Sequence, residues 1–167
     1  TLVHPADAVF PVVTIEGTDG SMPASMISGF TVSNGEAENG AGILIQDANP
    51  NLTWMGVRDN RAGVHGGGIY MQNAIVNFNH VLIAENVSGS GYAGGGIYML
   101  NSTANMDYVT ITSNYSKING SGIYFANESM LDMSHSLIWG NNSQYGPFAV
   151  QQVYSELQGN PNQGLII

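Results

Sequence analysis

Gly66-Gly67-Gly68-Ile69-Tyr70-Met71 returns, letter for letter, as Gly94-Gly95-Gly96-Ile97-Tyr98-Met99. Two looser copies flank the pair, Gly40-Ala41-Gly42-Ile43 and Gly120-Ser121-Gly122-Ile123-Tyr124. The four isoleucines follow one another at steps of 26, 28 and 26 residues. A second phrase trails each copy: an aliphatic residue, two others, then asparagine. It reads Val57-Arg58-Asp59-Asn60, Ile83-Ala84-Glu85-Asn86, Ile111-Thr112-Ser113-Asn114 and Ile138-Trp139-Gly140-Asn141. Two phrases held in phase over four units define a repeat, and a repeat of this length marks a solenoid.

Between the phrases apolar and polar residues alternate with period two, the pattern of strands. In one unit Ile69, Met71, Val76, Phe78, Val81 and Ile83 point one way. In the next, Ile97, Met99, Ala104, Met106, Val109 and Ile111 fill the same places. Strands this short bury no core alone, but coiled into rungs and stacked at ~4.8 Å they do. No window carries a helical period, and glycine falls too often for a bundle. The expected fold is all-β: a right-handed parallel β-helix of about five to six rungs, each of 26–28 residues, cut from a longer helix. It occupies 1–167 as one domain. Residues 12–35 make an irregular first rung, 40–146 the regular rungs, and 147–167 an incomplete last rung and tail. Ile27, Phe30 and Val32, taken as inward, place Gly35 at the asparagine position of that first rung.

The glycine phrase suits a corner with φ > 0 and close approach of neighbouring rungs. Asn60, Asn86, Asn114 and Asn141 fall in one inward column, where each amide can bond the next rung: a structural asparagine ladder.

The chain has 167 residues, three of them basic against twelve carboxylates, for a net charge of −9. That balance leaves no electrostatic footprint for nucleic acid or an anionic membrane. No apolar run approaches the ~18 residues of a membrane span. Cysteine is absent, which removes disulfides, thiolate metal sites and thiol nucleophiles.

The paired phrases resemble the polymorphic outer-membrane-protein repeat, which couples Gly-Gly-Ala-Ile with Phe-x-x-Asn; here aliphatic residues replace its phenylalanine. The runs Ser136-Leu137-Ile138-Trp139-Gly140-Asn141 and Tyr154-Ser155-Glu156-Leu157-Gln158-Gly159 resemble the tails of large secreted bacterial β-helix proteins, a group sharing the pectate-lyase-like fold. Ile27-Ser28-Gly29-Phe30-Thr31-Val32-Ser33-Asn34-Gly35 is similar to the entry to their repeats. The resemblance covers roughly residues 12–160. It implies an extracellular, secreted or outer-surface setting. It leaves activity open, because the group includes adhesins and polysaccharide lyases.

Stacking converts sequence period into surface columns. Tyr70, Tyr98 and Tyr124, with Leu44, read as an outward strip whose rings suit the apolar faces of sugars, or which merely stabilises parallel strands. Asn51, Asn77, Asn105 and Asp132 form a second column, Thr53, Asn79, Asp107 and Ser134 a third, and Trp54, His80, Tyr108 and His135 a fourth. Asp107 and Asp132, on adjacent rungs and offset by two residues, are candidate paired carboxylates for glycoside hydrolysis, with His135 or Tyr108 beside them. The bases fall off these columns, which argues against a lyase site. Asp59 and Glu85 are calcium candidates, although calcium takes ~6–8 oxygens. Of the seven Asn-x-Ser/Thr sequons, Asn101 and Asn127 are the best placed for a glycan.

The expectation is a non-catalytic surface domain: an adhesin or polysaccharide-contacting stalk using the tyrosine strip. The alternatives are a polysaccharide-degrading enzyme and a structural spacer joined end to end or to neighbouring domains.

Overall fold

Ile43, Ile69, Ile97 and Ile123 lie side by side in parallel register, each fully buried. The computed structural model that places them describes residues 2–3, 9–17, 25–89, 93–144, 152–155 and 165–166. No helix among these is long and apolar enough to cross a membrane. In a regular turn the chain runs through Ile43–Gln46, Asn51–Arg58 and Arg61–His65, then enters the next turn at Ile69–Gln72. Each segment pairs in parallel with its own copy one turn away, which builds three sheets of six, nine and five strands. The result is a parallel β-solenoid of about four turns. That corrects the expected five to six rungs. The first and last stretches contribute partial turns, and residues 147–151 of the expected last rung lie outside the described residues.

The interior is the alternating set read from the sequence. Leu52, Phe78 and Met106 stack in one file, and Val57, Ile83 and Ile111 in another, all at most 3% exposed. Removing each large apolar side chain from water contributes about 1.5–3 kcal/mol. Phe30, expected inside, is 44% exposed, because the turn it belongs to is the irregular one at the edge of the stack.

The asparagine ladder is continuous and buried. Asn60 Nδ2 donates to Asn86 Oδ1, Asn86 Nδ2 to Asn114 Oδ1 and Asn114 Nδ2 to Asn141 Oδ1, each at 2.9 Å. Each Oδ1 also accepts the backbone N–H of the preceding ladder residue, and each Nδ2 reaches a carbonyl of the preceding turn. Gly35 stands at the first ladder position, where its N–H donates to Asn60 Oδ1. Gln152 caps the other end: its Oε1 accepts from Asn141 Nδ2 at 3.0 Å and its Nε2 donates to the Asn141 carbonyl. The repeat phrases gave no sign of this cap, because Gln152 follows Asn141 by only 11 residues.

Every described residue with positive φ falls in one of four corner columns. Gly40, Gly66, Gly94 and Gly120 form one, opening the glycine phrases; a Cβ on Gly66 would lie 2.4 Å from the Ile69 carbonyl oxygen. The third glycine of the phrase serves the ladder, since a Cβ on Gly68 would lie 2.9 Å from Asn86 Nδ2. Asp47, Asn73, Asn101 and Asn127 form a second column, and Asn34, Asp59, Glu85, Ser113 and Gly140 a third. These are mostly the residue types that tolerate the left-handed region. The remaining column is Gly29, Trp54, His80, Tyr108 and His135.

Candidate functional site

Bulky aromatic side chains at φ > 0 are outliers costing about 1–2 kcal/mol relative to glycine, whereas histidine is among the types enriched there. Two turns accept that cost at one column, with φ of 53° at Trp54 and 55° at Tyr108, and histidines fill the same place in the other two, with φ of 54° at His80 and 47° at His135. The strain has a visible product. The left-handed residue kinks the strand and throws its side chain out of the sheet, so the four rings stack along the solenoid axis. Centroids are 3.9 Å apart for Trp54–His80 and 4.8 Å for both His80–Tyr108 and Tyr108–His135. Trp54 is 64% exposed and Tyr108 51%. Backbone strain spent on an exposed aromatic row points to a functional surface.

Beside this wall runs a shallow open groove of about 260 Å³ lined by Asn77, Asn79, Asn105, Asp107, Asp132 and Ser134 over Phe78 and Met106. Asn105 Nδ2 donates to Asn77 Oδ1, and Asn77 Nδ2 to Asn51 Oδ1, both at 2.8 Å, so an exposed amide ladder mirrors the buried one. Wall and groove are tied together. His80 Nδ1 lies 2.7 Å from Asn79 Oδ1, and His135 Nδ1 2.8 Å from Asp107 Oδ1. Ser134 Oγ donates to the same Asp107 oxygen at 3.0 Å.

Asp107 and Asp132 do share one face, in the expected diagonal arrangement: Asp132 registers with Asn105, and Ser134 with Asp107. The hydrogen bond from His135 is the main cause holding the Asp107 carboxyl below its ordinary value; desolvation opposes it, and the Ser134 hydrogen bond and the nearby imidazoles add to the lowering. A lowered carboxyl suits the carboxylate partner of a glycosidase pair and not its protonated acid. His135 is oriented by a carboxylate, as a general base would be. Yet Ser134 bonds the carboxylate rather than the imidazole, so the three side chains do not form a nucleophile–base–orienter relay.

The tyrosine strip is corrected. Tyr70, Tyr98 and Tyr124 do stack, with centroids 5.3 and 5.2 Å apart and planes within 7° of parallel. They are, however, 8–9% exposed, not open to solvent. They form a second apolar cluster outside the central one, with Ala93, Ala126, Leu44 and Leu100 packed against them. His65 stacks on Tyr98 at 4.1 Å, and the Tyr70 hydroxyl donates to Gln72 Oε1. Burial raises the Tyr70 phenol above its ordinary value. Period-two alternation told which way these side chains leave the strand. It could not tell that neighbours cover them.

The calcium candidates do not converge on a cage. Asp59 pairs with Arg58 at 2.9 Å, and Glu85 stands exposed one turn away. Among the described residues, no three side chains of the His, Cys, Asp and Glu types gather as a metal site. Of the sequons, Asn86, Asn114 and Asn141 are buried ladder members, whereas Asn101 and Asn127 are exposed corner residues.

The wall was visible in the sequence as a column of rings, but its importance was not. Positive φ recurs in three other columns, and what singles this one out is the placing of the bulky rings of Trp54 and Tyr108 at such positions. Comparisons with family models, with curated proteins and with solved structures find no match for this chain.

Proposed function

We propose that this chain is a non-catalytic, extracellular carbohydrate-contacting β-solenoid, the binding stalk of a surface or secreted protein of the adhesin kind. One observation carries the reading: a groove lined by side-chain amides and carboxylates, beside a column of four stacked rings joined to it by the hydrogen bonds of His80 and His135. The floor presents hydrogen-bonding groups once per turn, at intervals of ~4.8 Å. A linear, hydroxyl-rich polymer with a repeat near that spacing meets the same partner at every turn. Such a groove, open along its length, suits the interior of a glycan chain. The net charge of −9 disfavours polyanionic chains and leaves neutral polysaccharides as the favoured class. The repeat phrases, similar to those of secreted bacterial β-helix proteins, support the extracellular setting.

Affinity electrophoresis in gels containing neutral polysaccharides tests the proposal. Retardation is expected on at least one polymer, without release of reducing ends. Asn77→Ala combined with Asn105→Ala removes two amides, each worth about 0.5–1.5 kcal/mol, and so weakens binding by roughly tenfold. A broad panel giving no retardation would sink the reading and favour a structural spacer. Sugar release abolished by Asp107→Asn would favour the enzyme.

A further inference from the structure

A stacked column consumes its own ring faces. His80 lies between Trp54 and Tyr108, and Tyr108 between His80 and His135, so these inner rings offer only edges to a ligand. Trp54 differs. In the turn before it the corner position is Gly29, whose N–H donates to the Thr53 carbonyl and whose φ of +81° continues the column without a ring. A Cβ built on Gly29 would meet nothing within 4 Å. Among the described residues the indole face turned away from His80 is therefore open, consistent with 64% exposure of Trp54.

We propose that this face of Trp54 is the platform for a terminal or branching pyranose of a neutral glycan. The inference rests on the carbohydrate reading above and assigns the subsite where a sugar ring is held by its face. Ring planes in the column lie across the solenoid axis. A sugar stacked on Trp54 is thus turned broadside to the groove, a geometry for the end or branch of a chain rather than its interior. The surroundings choose a neutral ring over a cation. Met26, Ser28, Phe30, Asn51 and Thr53, the described neighbours on these two turns, carry no charge, so among them a cation on the indole would find no carboxylate. Ser28 and Thr53 sit opposite one another in register and offer hydroxyls at the rim, while Met26, 75% exposed, adds apolar surface. The stack beneath holds the indole in place, which lowers the ordering cost of binding.

Intrinsic fluorescence reads this subsite directly, because the chain has two tryptophans, Trp54 and Trp139. In a Trp139→Phe background, titration with methyl β-glucoside, methyl β-galactoside and methyl α-mannoside is expected to give a saturable shift in Trp54 emission with at least one. Acrylamide quenching should fall by about half at saturation. Gly29→His adds a fifth ring to the column, caps Trp54 and should weaken the response at least tenfold. Gly29→Ser, with the same backbone demand and no ring, should retain it. Circular dichroism confirms that both variants fold. Trp54→Ala, read by retardation on polysaccharide gels, tests the subsite without relying on the cap and should reduce binding at least fivefold. No saturable shift with any glycoside, an undiminished response in Gly29→His, or a response to tetramethylammonium in place of sugars would overturn the proposal. Retardation of the parent on polysaccharide with a silent Trp54 would refute this subsite and leave the groove standing; silence in both refutes both.

Discussion

Asn114→Ala is the perturbation whose cost follows most directly from the ladder. Asn114 is fully buried. Its Nδ2 donates to the Ile83 carbonyl at 3.0 Å and to Asn141 Oδ1 at 2.9 Å. Its Oδ1 accepts from the Asn86 backbone N–H at 3.0 Å and from Asn86 Nδ2 at 2.9 Å. Truncation does not orphan all four partners. Asn141 Oδ1 keeps the Asn114 backbone N–H, and Asn86 Nδ2 keeps the Val57 carbonyl. What remains stranded is the Asn86 N–H, with the Ile83 carbonyl losing one of its bonds. One buried donor without a partner costs about 1–3 kcal/mol, and the weakened acceptor together with the void adds to this. The expected loss is about 2–4 kcal/mol, against at most ~0.5 kcal/mol for Asn105→Ala on the exposed ladder. Chemical denaturation followed by circular dichroism measures both. Equal midpoints for the two variants would refute the ladder argument.

Asn114→Asp sharpens the test by keeping shape and reversing one role. The carboxylate would face the Ile83 carbonyl and Asn141 Oδ1, both acceptors, in a buried site. Its folded-state pKa must therefore lie above the unfolded value. Such a group contributes stability while protonated, below the unfolded pKa, and that stability is lost as pH rises. The deficit relative to the parent should be small near pH 4 and grow toward neutrality. A deficit constant with pH would mean that Asn114 Nδ2 is not committed to acceptors.

Two further outcomes follow from the surface columns. Asp107, held low chiefly by His135, should titrate below an ordinary aspartate in carboxyl-carbon NMR; its contribution to stability is present above the unfolded pKa and fades as pH falls through the folded one. His135→Ala should return its titration toward the ordinary range, and an unchanged midpoint would show that His135 is not what lowers it. Tyr98→Ser, innocuous if the tyrosine strip were exposed, should destabilise by about 3 kcal/mol or more because the ring is buried between two others; a midpoint within ~0.5 kcal/mol of the parent would contradict that burial.

The fold was legible because its determinants are local and periodic. Ile43, Ile69, Ile97 and Ile123 mark a strand, and Asn60, Asn86, Asn114 and Asn141 a turn, in the same phase each time, so register follows from counting. The first ladder position could be assigned to Gly35 by the same count. Turn number was less legible, because Phe30 and the residues around it keep the phrases only in part. Gln152 was illegible for a related reason. It supplies a ladder bond from a different place in the cycle, so no column contains it.

The two aromatic columns show why a site is harder to read than a fold. Tyr70-Tyr98-Tyr124 and Trp54-His80-Tyr108-His135 recur with the same period and both leave the central core. By sequence alone the tyrosines are the better strip, being identical and in strands. What separates the columns is geometry that alternation does not encode. The tyrosines lie in extended strands, side by side with Leu44 and Leu100 and against Ala93 and Ala126, so apolar neighbours seal them. Trp54, His80 and Tyr108 sit at a left-handed kink inside their strands, and His135 at the matching place between two, so the kink turns their rings out of the sheet. At such a corner glycine would be the relaxed choice, and Gly29 is that choice in the adjoining turn. Of the four turns that depart from it, two retain bulky rings against backbone strain, and the turn that does not leaves one of those rings, Trp54, open on its face among the described residues. A structural role alone would favour relaxing the corners, since the solenoid is already held by its core and its buried ladder. The strained column is thus better explained by what it presents to solvent than by what it contributes to the fold.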